Sequence, residues 1–313
     1  MSTALPETPG GSIVTVGSFD GVHRGHHAVL DEIARRARVA GRQSVLVTFS
    51  PHPLEVVNPA AAPPLLTAGD ERLEILAQTE IDRVVVLAFD RRLAGLTPRE
   101  FVRDVLLARC HMRELVIGYD HGFGRGRSGD ADTLRALGAE LGFAVDVVDA
   151  VDANGQQVSS SRIRRAVAGG DLALAARLLG RPYTVNAVVE AGEARGRRLG
   201  VPTINLGAVP PQKLLPPDGV YAVRVEWRGG LAGGMMNQGG RPTFGDGRRT
   251  LEVNLFGFEG DLYAEPVRLE WVERIRDVER FPSAEALKEQ LRRDREAAEA
   301  ILAARPRSGA THT

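Results

Sequence analysis

The chain has 313 residues, enough for two domains, and 43% of them are hydrophobic, enough to build a core in each. Acidic and basic residues balance at 40 each, so net charge points to neither a nucleic-acid nor a membrane partner. A single cysteine, Cys110, excludes an internal disulfide and a cysteine zinc site, and no apolar run reaches the roughly 18 residues a bilayer span requires.

From Ile13 to about Leu179, strand-length apolar runs alternate with helical patterns. Strands are predicted at Ile13–Gly17, Ser44–Phe49, Arg83–Phe89, Glu114–Gly118 and Ala144–Asp149. Helices are predicted at about His26–Ala40, Asp70–Gln78, Pro98–Cys110 and Asp130–Leu141. The first helix sets Leu30, Ile33, Ala34 and Ala37 on one stripe and stops at Gly41, a left-handed cap. Cys110 ends an apolar helical pattern and is expected as a small core residue. The βα alternation predicts an α/β domain, a parallel sheet with helices on both faces.

After Leu178–Tyr183 the rhythm changes to strand runs separated by Gly and Pro: "TVNAVVE", "GVYAVRVEW", "TLEVNLFGF" and "PVRLEWVERI". These predict an antiparallel barrel or sandwich. A last helix, about Ser283–Ala304, puts Ala284, Leu287, Leu291, Ala298 and Ile301 on one stripe. The expected domains are 1–182 and 183–304, with 305–313 a disordered tail. With no secretory signal pattern at the N-terminus, a cytoplasmic location is expected.

Several stretches bear chemistry. In "GSFDGVHRGH", Gly17–His26, two histidines three residues apart stand where a strand gives way to a helix. Ligands of open α/β sheets collect at such carboxyl ends, where helix N-termini present free N–H groups. Paired imidazoles there can stabilise charge growing on phosphate oxygens. With an unperturbed pKa of about 6.5, either would be charged at neutral pH only if bound polyphosphate raised it. An isolated HxxH reads more readily as one helix cap and one core histidine. His52 in "TFSPHP" reads equally as part of a rigid turn. In "SSSRIR", Ser159–Arg164, hydroxyls and arginines open a helix and can hold a pyrophosphate, or can be a solvated cap. "GRGRSG", Gly124–Gly129, satisfies GxGxxG but comes too late in the chain for a dinucleotide fingerprint.

In the second half, "GEARGRRLGVPTINL", Gly192–Leu206, joins an arginine-bearing glycine loop to Thr203 and Asn205. Such a loop can close on ATP phosphates, and a hydroxyl beside a carboxamide can coordinate Mg²⁺. No GxxxxGK[ST] occurs, so any kinase here works without a P-loop. Glu252, in "TLEVNLFGF", is alone a solvent-facing strand charge.

Taken in order, "GSFDGVHRGH", "TFSPHP" and "VSSSRIRRAVAGGDLALAARLLGRPY" resemble the prokaryotic bifunctional riboflavin kinase/FAD synthetase family. The second half resembles its kinase module through "PTIN", "GMMNQGGRPTFGDG" and "TLEVNLFGF". The resemblance implies a Rossmann-like nucleotidyltransferase domain followed by an antiparallel riboflavin kinase barrel with a C-terminal helix. It implies phosphorylation of riboflavin to FMN, then adenylylation of FMN to FAD, with ATP, riboflavin and FMN as small-molecule partners and Mg²⁺ as cofactor. For adenylyl transfer it implies catalytic His23 and His26 and ATP or phosphate contacts at Gly17, Phe19, Asp20, Gly25, Ser160, Ser161, Arg162 and Arg164. Asp120, Phe123 and Gly124 match a flavin and nucleotide loop. For the kinase it implies Gly192, Arg195, Gly196, Arg197, Gly200 and Pro202 around ATP, Thr203 and Asn205 at the metal, and Glu252 as base. This chain departs from the family pattern at His121, Ser161, Ala191, Ile204, Asn254, Gly257 and Ala264. Alternatives are a nucleotidyltransferase for another phosphate substrate, a weakened kinase half, and a non-catalytic flavin-binding module.

Overall fold

The computed structural model describes residues 10–119, 129–153, 155–190, 203–240 and 249–306. The chain forms two compact units, Met1–Ser160 and Ser161–Thr313.

In the first unit, β1 (Ser12–Val16), β2 (Gln43–Ser50), β3 (Arg83–Ala88), β4 (Met112–Gly118) and β5 (Ala144–Val148) form one sheet in the order β3-β2-β1-β4-β5. Every pairing is parallel. The side-chain period of two divides each central strand between two cores. Ile13, Leu46 and Val116 pack with Leu30, Ile33 and Ala37 of α1 (Arg24–Ala40). Val14, Val16, Val45, Val47, Leu115 and Ile117 pack on the opposite face against Phe101, Val102, Leu106, Leu134 and Leu137. Burial on both faces explains why these strands read as continuous apolar runs.

Helix α1 ends at Gly41, whose φ of 62° is the left-handed cap its sequence predicts. Two short helices are additional: α2 (Pro53–Val57) and, after α3 (Glu71–Leu76), α4 (Arg91–Ala94). His52 is the N-cap of α2, accepting from Leu54 N while Glu55 reaches back to its own N–H, so the turn reading of "SPHP" holds. The helix over 98–110, α5, passes through a π segment at Val102–Leu107 and buries Cys110, whose thiol burial pushes up to about 11. Helix α6 (Ala131–Leu141) precedes β5.

The second unit begins with α7 (Ser160–Ala168) and α8 (Leu172–Leu179), elements that the sequence assigned to the first domain. Six antiparallel strands follow: β6 (Thr184–Glu190), β7 (Ile204–Gly207), β8 (Gly219–Trp227), β9 (Gly230–Gly240), β10 (Arg249–Leu255) and β11 (Pro266–Arg276). They close as a barrel in the order β10-β7-β6-β11-β8-β9. Strands β7 and β9 were not expected. In β9 the glycines that weaken strand propensity make room for neighbours. A Cβ at Gly233 would lie 2.7 Å from Leu302 Cδ1, and one at Gly234 would lie 2.5 Å from Asn254 O.

Helix α9 (Ala284–Ala304) covers part of the barrel, Ala298 packing with Ala222, Met235 and Val272. Arg305, expected within a disordered tail, instead pairs with Glu273 at 2.6 Å, and its carbonyl accepts from Arg224. Residues 307–313 of that tail lie outside the described residues. Asp294 of α9 is 1% exposed and accepts from both Arg276 Nε (2.9 Å) and Nη2 (2.7 Å). Asp294→Ala leaves the guanidinium without its bidentate partner and is expected to destabilise this unit by about 3 kcal/mol, measured by urea unfolding.

Candidate functional site

The turn from β1 into α1 lies at the carboxyl end of the sheet, beside the β1/β4 position where strand order reverses, the place at which open α/β sheets bind ligands. Its backbone is tightly bent. Phe19 (φ 49°), Gly21 (φ 83°) and Val22 (φ 34°) all occupy positive φ. Asp20 fixes the bend. Its buried carboxylate accepts from Leu66 N (3.0 Å), Thr67 N (2.9 Å) and Thr67 Oγ1 (3.0 Å). That carboxylate is therefore a brace for the turn.

His23 is the N-cap of α1 and His26 its third residue, and the two cap each other. His26 N donates to His23 Nδ1 at 3.3 Å, and His23 N donates to His26 Nδ1 at 3.3 Å. The rings stack with centroids 3.6 Å apart, and Phe19 lies against His26 at 4.5 Å. So His23 both caps the helix and stands in the pair. Gly17 and Gly25 leave space for these rings. A Cβ at Gly17 would lie 3.0 Å from the Phe19 ring, and one at Gly25 would lie 3.2 Å from the His23 ring.

Ser160 joins this cluster through its hydroxyl, which donates to Asp20 O at 3.0 Å. The structure thus brings together Gly17, Phe19, Asp20, His23, Gly25, His26 and Ser160. Exposed Ser161 and half-buried Arg162 and Arg164 continue from Ser160 as the first turns of α7, in the second unit. Asp120, Phe123 and Gly124 lie outside the described residues.

On the barrel, Glu252 of β10 is in direct register with Asn205 of β7 on one side and Asn237 of β9 on the other. Thr203 precedes Asn205 by two residues, just before β7. The alternate positions Leu206, Leu251 and Val253 are buried, so the polar row occupies the opposite face from them. Cross-strand partners on one face stand about 5 Å apart at Cβ, near enough for Glu252 and Asn205 to act on one ligand. Gly192, Arg195, Gly196, Arg197, Gly200 and Pro202 lie outside the described residues.

Sequence reasoning missed Thr67, Arg72 and Asn237. Arg72, second residue of α3, donates through Nη1 to Ser18 O and through Nη2 to Phe49 O, both at 2.7 Å. Burial lowers its pKa and the Asp20 charge opposes that shift. Only for Asn237 does the sequence hold a signal, its place within "GMMNQGG".

Comparison with known proteins matches both halves of the chain. The family described as FAD synthetase matches residues 5–162, and the family described as riboflavin kinase matches residues 179–302. A Pseudomonas fluorescens bifunctional riboflavin kinase/FMN adenylyltransferase is 40% identical, covering 94% of each chain. Its Escherichia coli K12 counterpart is 38% identical, over 91% of this chain and 90% of its own. A solved structure from Streptococcus pneumoniae described as a macrolide-efflux protein superposes with a TM-score of 0.84 at 32% identity, over 94% of this chain and 95% of that one. Efflux belongs to that description alone; no described helix here is long and apolar enough to cross a membrane. With both modules matched in order over almost its whole length, this chain belongs to the bifunctional riboflavin kinase/FMN adenylyltransferase family.

Proposed function

We infer that this chain converts riboflavin to FAD in two ATP-dependent steps, phosphorylation on the barrel and adenylylation at the head of α1. The observation that carries the reading is that a family member holds two separate constellations suited to phosphate chemistry. One is the mutually capped histidine pair, the other Glu252 in register with Asn205. Functional domains of 1–182 and 183–304 are proposed, and the setting is the cytoplasm, where a reduced thiol such as buried Cys110 persists.

In the first step Glu252 takes the proton of the ribityl 5′-hydroxyl as its oxygen attacks the γ-phosphorus of ATP; FMN and ADP result. Thr203 and Asn205 offer the hard oxygen donors that Mg²⁺ prefers, so the residues present fit that ion. When bound, it neutralises phosphate charge. Gly192, Arg195, Gly196, Arg197, Gly200 and Pro202, assigned by family resemblance, enclose the triphosphate.

In the second step a phosphate oxygen of FMN attacks the α-phosphorus of another ATP and pyrophosphate leaves. His23 and His26 supply donors to the oxygens that gain charge. Each Nδ1 already accepts a backbone N–H, so the proton of each neutral ring resides on Nε2. In the neutral rings this leaves one Nε2–H donor on each histidine. Ser160, Ser161, Arg162 and Arg164 hold the departing pyrophosphate, and Asp120, Phe123 and Gly124 contact flavin and nucleotide; these roles rest on family resemblance.

The decisive assay incubates purified protein with riboflavin, ATP and Mg²⁺ and separates the flavins over time; FMN should appear first and FAD after it. Absence of both would end the reading. His26→Ala should lower FAD formation at least about 100-fold with FMN formation within about twofold of the parent, and Glu252→Gln should do the reverse.

Gly25→Ala separates geometry from stability. The helix gains up to about 1 kcal/mol of propensity, yet the new Cβ presses the His23 ring. The melting temperature should hold or rise while adenylylation falls about 10-fold.

Nitrogen-15 NMR of labelled histidine checks the tautomer. In their neutral form both rings should show a protonated Nε2 and a bare Nδ1; a neutral ring protonated on Nδ1 would overturn the reciprocal cap as the source of the Nε2 donors.

A further inference from the structure

The His23/His26 pair is held in place by a second layer that includes a cation. Phe19, whose ring lies 4.5 Å from that of His26, has a left-handed φ of 49°, a conformation costly for a bulky side chain unless its neighbours impose it. The carbonyl immediately before it, Ser18 O, is fixed twice. Thr48 Oγ1 donates to it at 3.2 Å and Arg72 Nη1 at 2.7 Å. The other arm of the same guanidinium donates to Phe49 O at 2.7 Å, tying the turn after β1 to the end of β2. On the far side of Phe19, Asp20 is locked to Leu66 and Thr67, and Gly21 N donates to Thr67 Oγ1 at 3.0 Å. Segment 66–72 therefore grips both flanks of Phe19. Arg72 makes no ion pair within 4.0 Å to any carboxylate among the described residues; its guanidinium donates to two backbone carbonyls of the site. A planar fork with donors on two arms spans two carbonyls in fixed geometry, which an ammonium on a flexible stem does not reproduce.

We propose that Arg72 is a positioning residue for adenylyl transfer: by clamping Ser18 O to Phe49 O it sets Phe19, and through Phe19 the His26 ring, where the transition state needs them. The proposal rests on the reading that FMN is adenylylated at the head of α1. It makes a kinetic signature. A group that acts through the placement of a transition-state donor alters kcat and leaves ground-state binding of ATP largely unchanged. A group acting as a general phosphate-attracting charge would instead raise KM.

The full-length chain carries its own control, since riboflavin phosphorylation takes place on the barrel. Adenylylation of FMN and phosphorylation of riboflavin are measured on the parent, Arg72→Met, Arg72→Lys and Thr48→Val. Failure of the parent to form FAD from FMN would overturn the underlying reading, apart from any variant. Given an active parent, Arg72→Met should lower kcat for FAD formation by about 10 to 100-fold, with KM for ATP within about threefold and the kinase rate within about twofold. Arg72→Lys keeps the charge but reaches one carbonyl, so it should recover only part of the loss. Thr48→Val, which removes the weaker bond to Ser18 O, should show the same kcat effect in milder form. The His26 ring signals should move in both Arg72 variants, and the fraction of folded protein is read by near-UV circular dichroism. The proposal is overturned if Arg72→Lys equals the parent in kcat, if KM rises while kcat holds, or if His26 signals stay fixed and activity falls only in step with folded fraction.

Discussion

The reciprocal cap between His23 and His26 is the interaction on which the first site depends. A helix leaves its first amides without internal partners, and a side chain at the N-cap ordinarily satisfies one of them. Here the cap and the third helical residue are both imidazoles, and each satisfies the other's backbone N–H. One device thereby closes the helix end, stacks two rings and assigns the proton of each neutral ring to Nε2. Histidine suits this role because it has one nitrogen to accept with and a second to donate with; an aspartate carboxylate would cap equally well and leave no donor.

That device is local, but its surroundings are not. The turn enters α1 through three residues of positive φ, two of them not glycine, and such a path persists only when contacts over-determine it. Asp20 reaches residues 46 and 47 positions ahead, and Arg72 reaches back 54 to Ser18. Sequence periodicity carries no trace of such pairings, which is why Asp20 read as a phosphate contact and Thr67 and Arg72 read as nothing. The strands and major helices were legible because burial on both faces writes itself as apolar runs and stripes. Gly41 as a left-handed cap and Cys110 as core followed from the same local logic.

The barrel was less legible for the opposite reason. Strand β9 holds glycines where a helix and a neighbouring strand approach within contact of its backbone, so the residues that tertiary packing demands are those that strand propensity disfavours. Strand β7 is four residues long, too short for alternation to declare itself, and its Asn205 and the preceding Thr203 drew notice only as polar chemistry. Once β7 is paired, its register with β10 does what no motif could state: it sets a carboxamide opposite Glu252.

The two sites thus fix their groups by different means, and this governs how each tolerates substitution. In the α/β unit, orientation depends on a bent turn and on side chains that brace it, and a methyl added at Gly25 would meet the His23 ring at 3.2 Å. On the barrel, the backbone ladder holds Glu252, Asn205 and Asn237 in line whatever stands further along the strands. The departures from the family pattern fit that distinction. Asn254 keeps its register with Met235, and Gly257 sits at a φ of 65°, a conformation glycine adopts freely. Ala264, where the family pattern has glycine, is held at 62° and carries a cost of about 1 kcal/mol for its Cβ. That strain lies in the turn leading to β11, outside the ladder that aligns Glu252 with Asn205, so it weighs on stability and leaves that row in register.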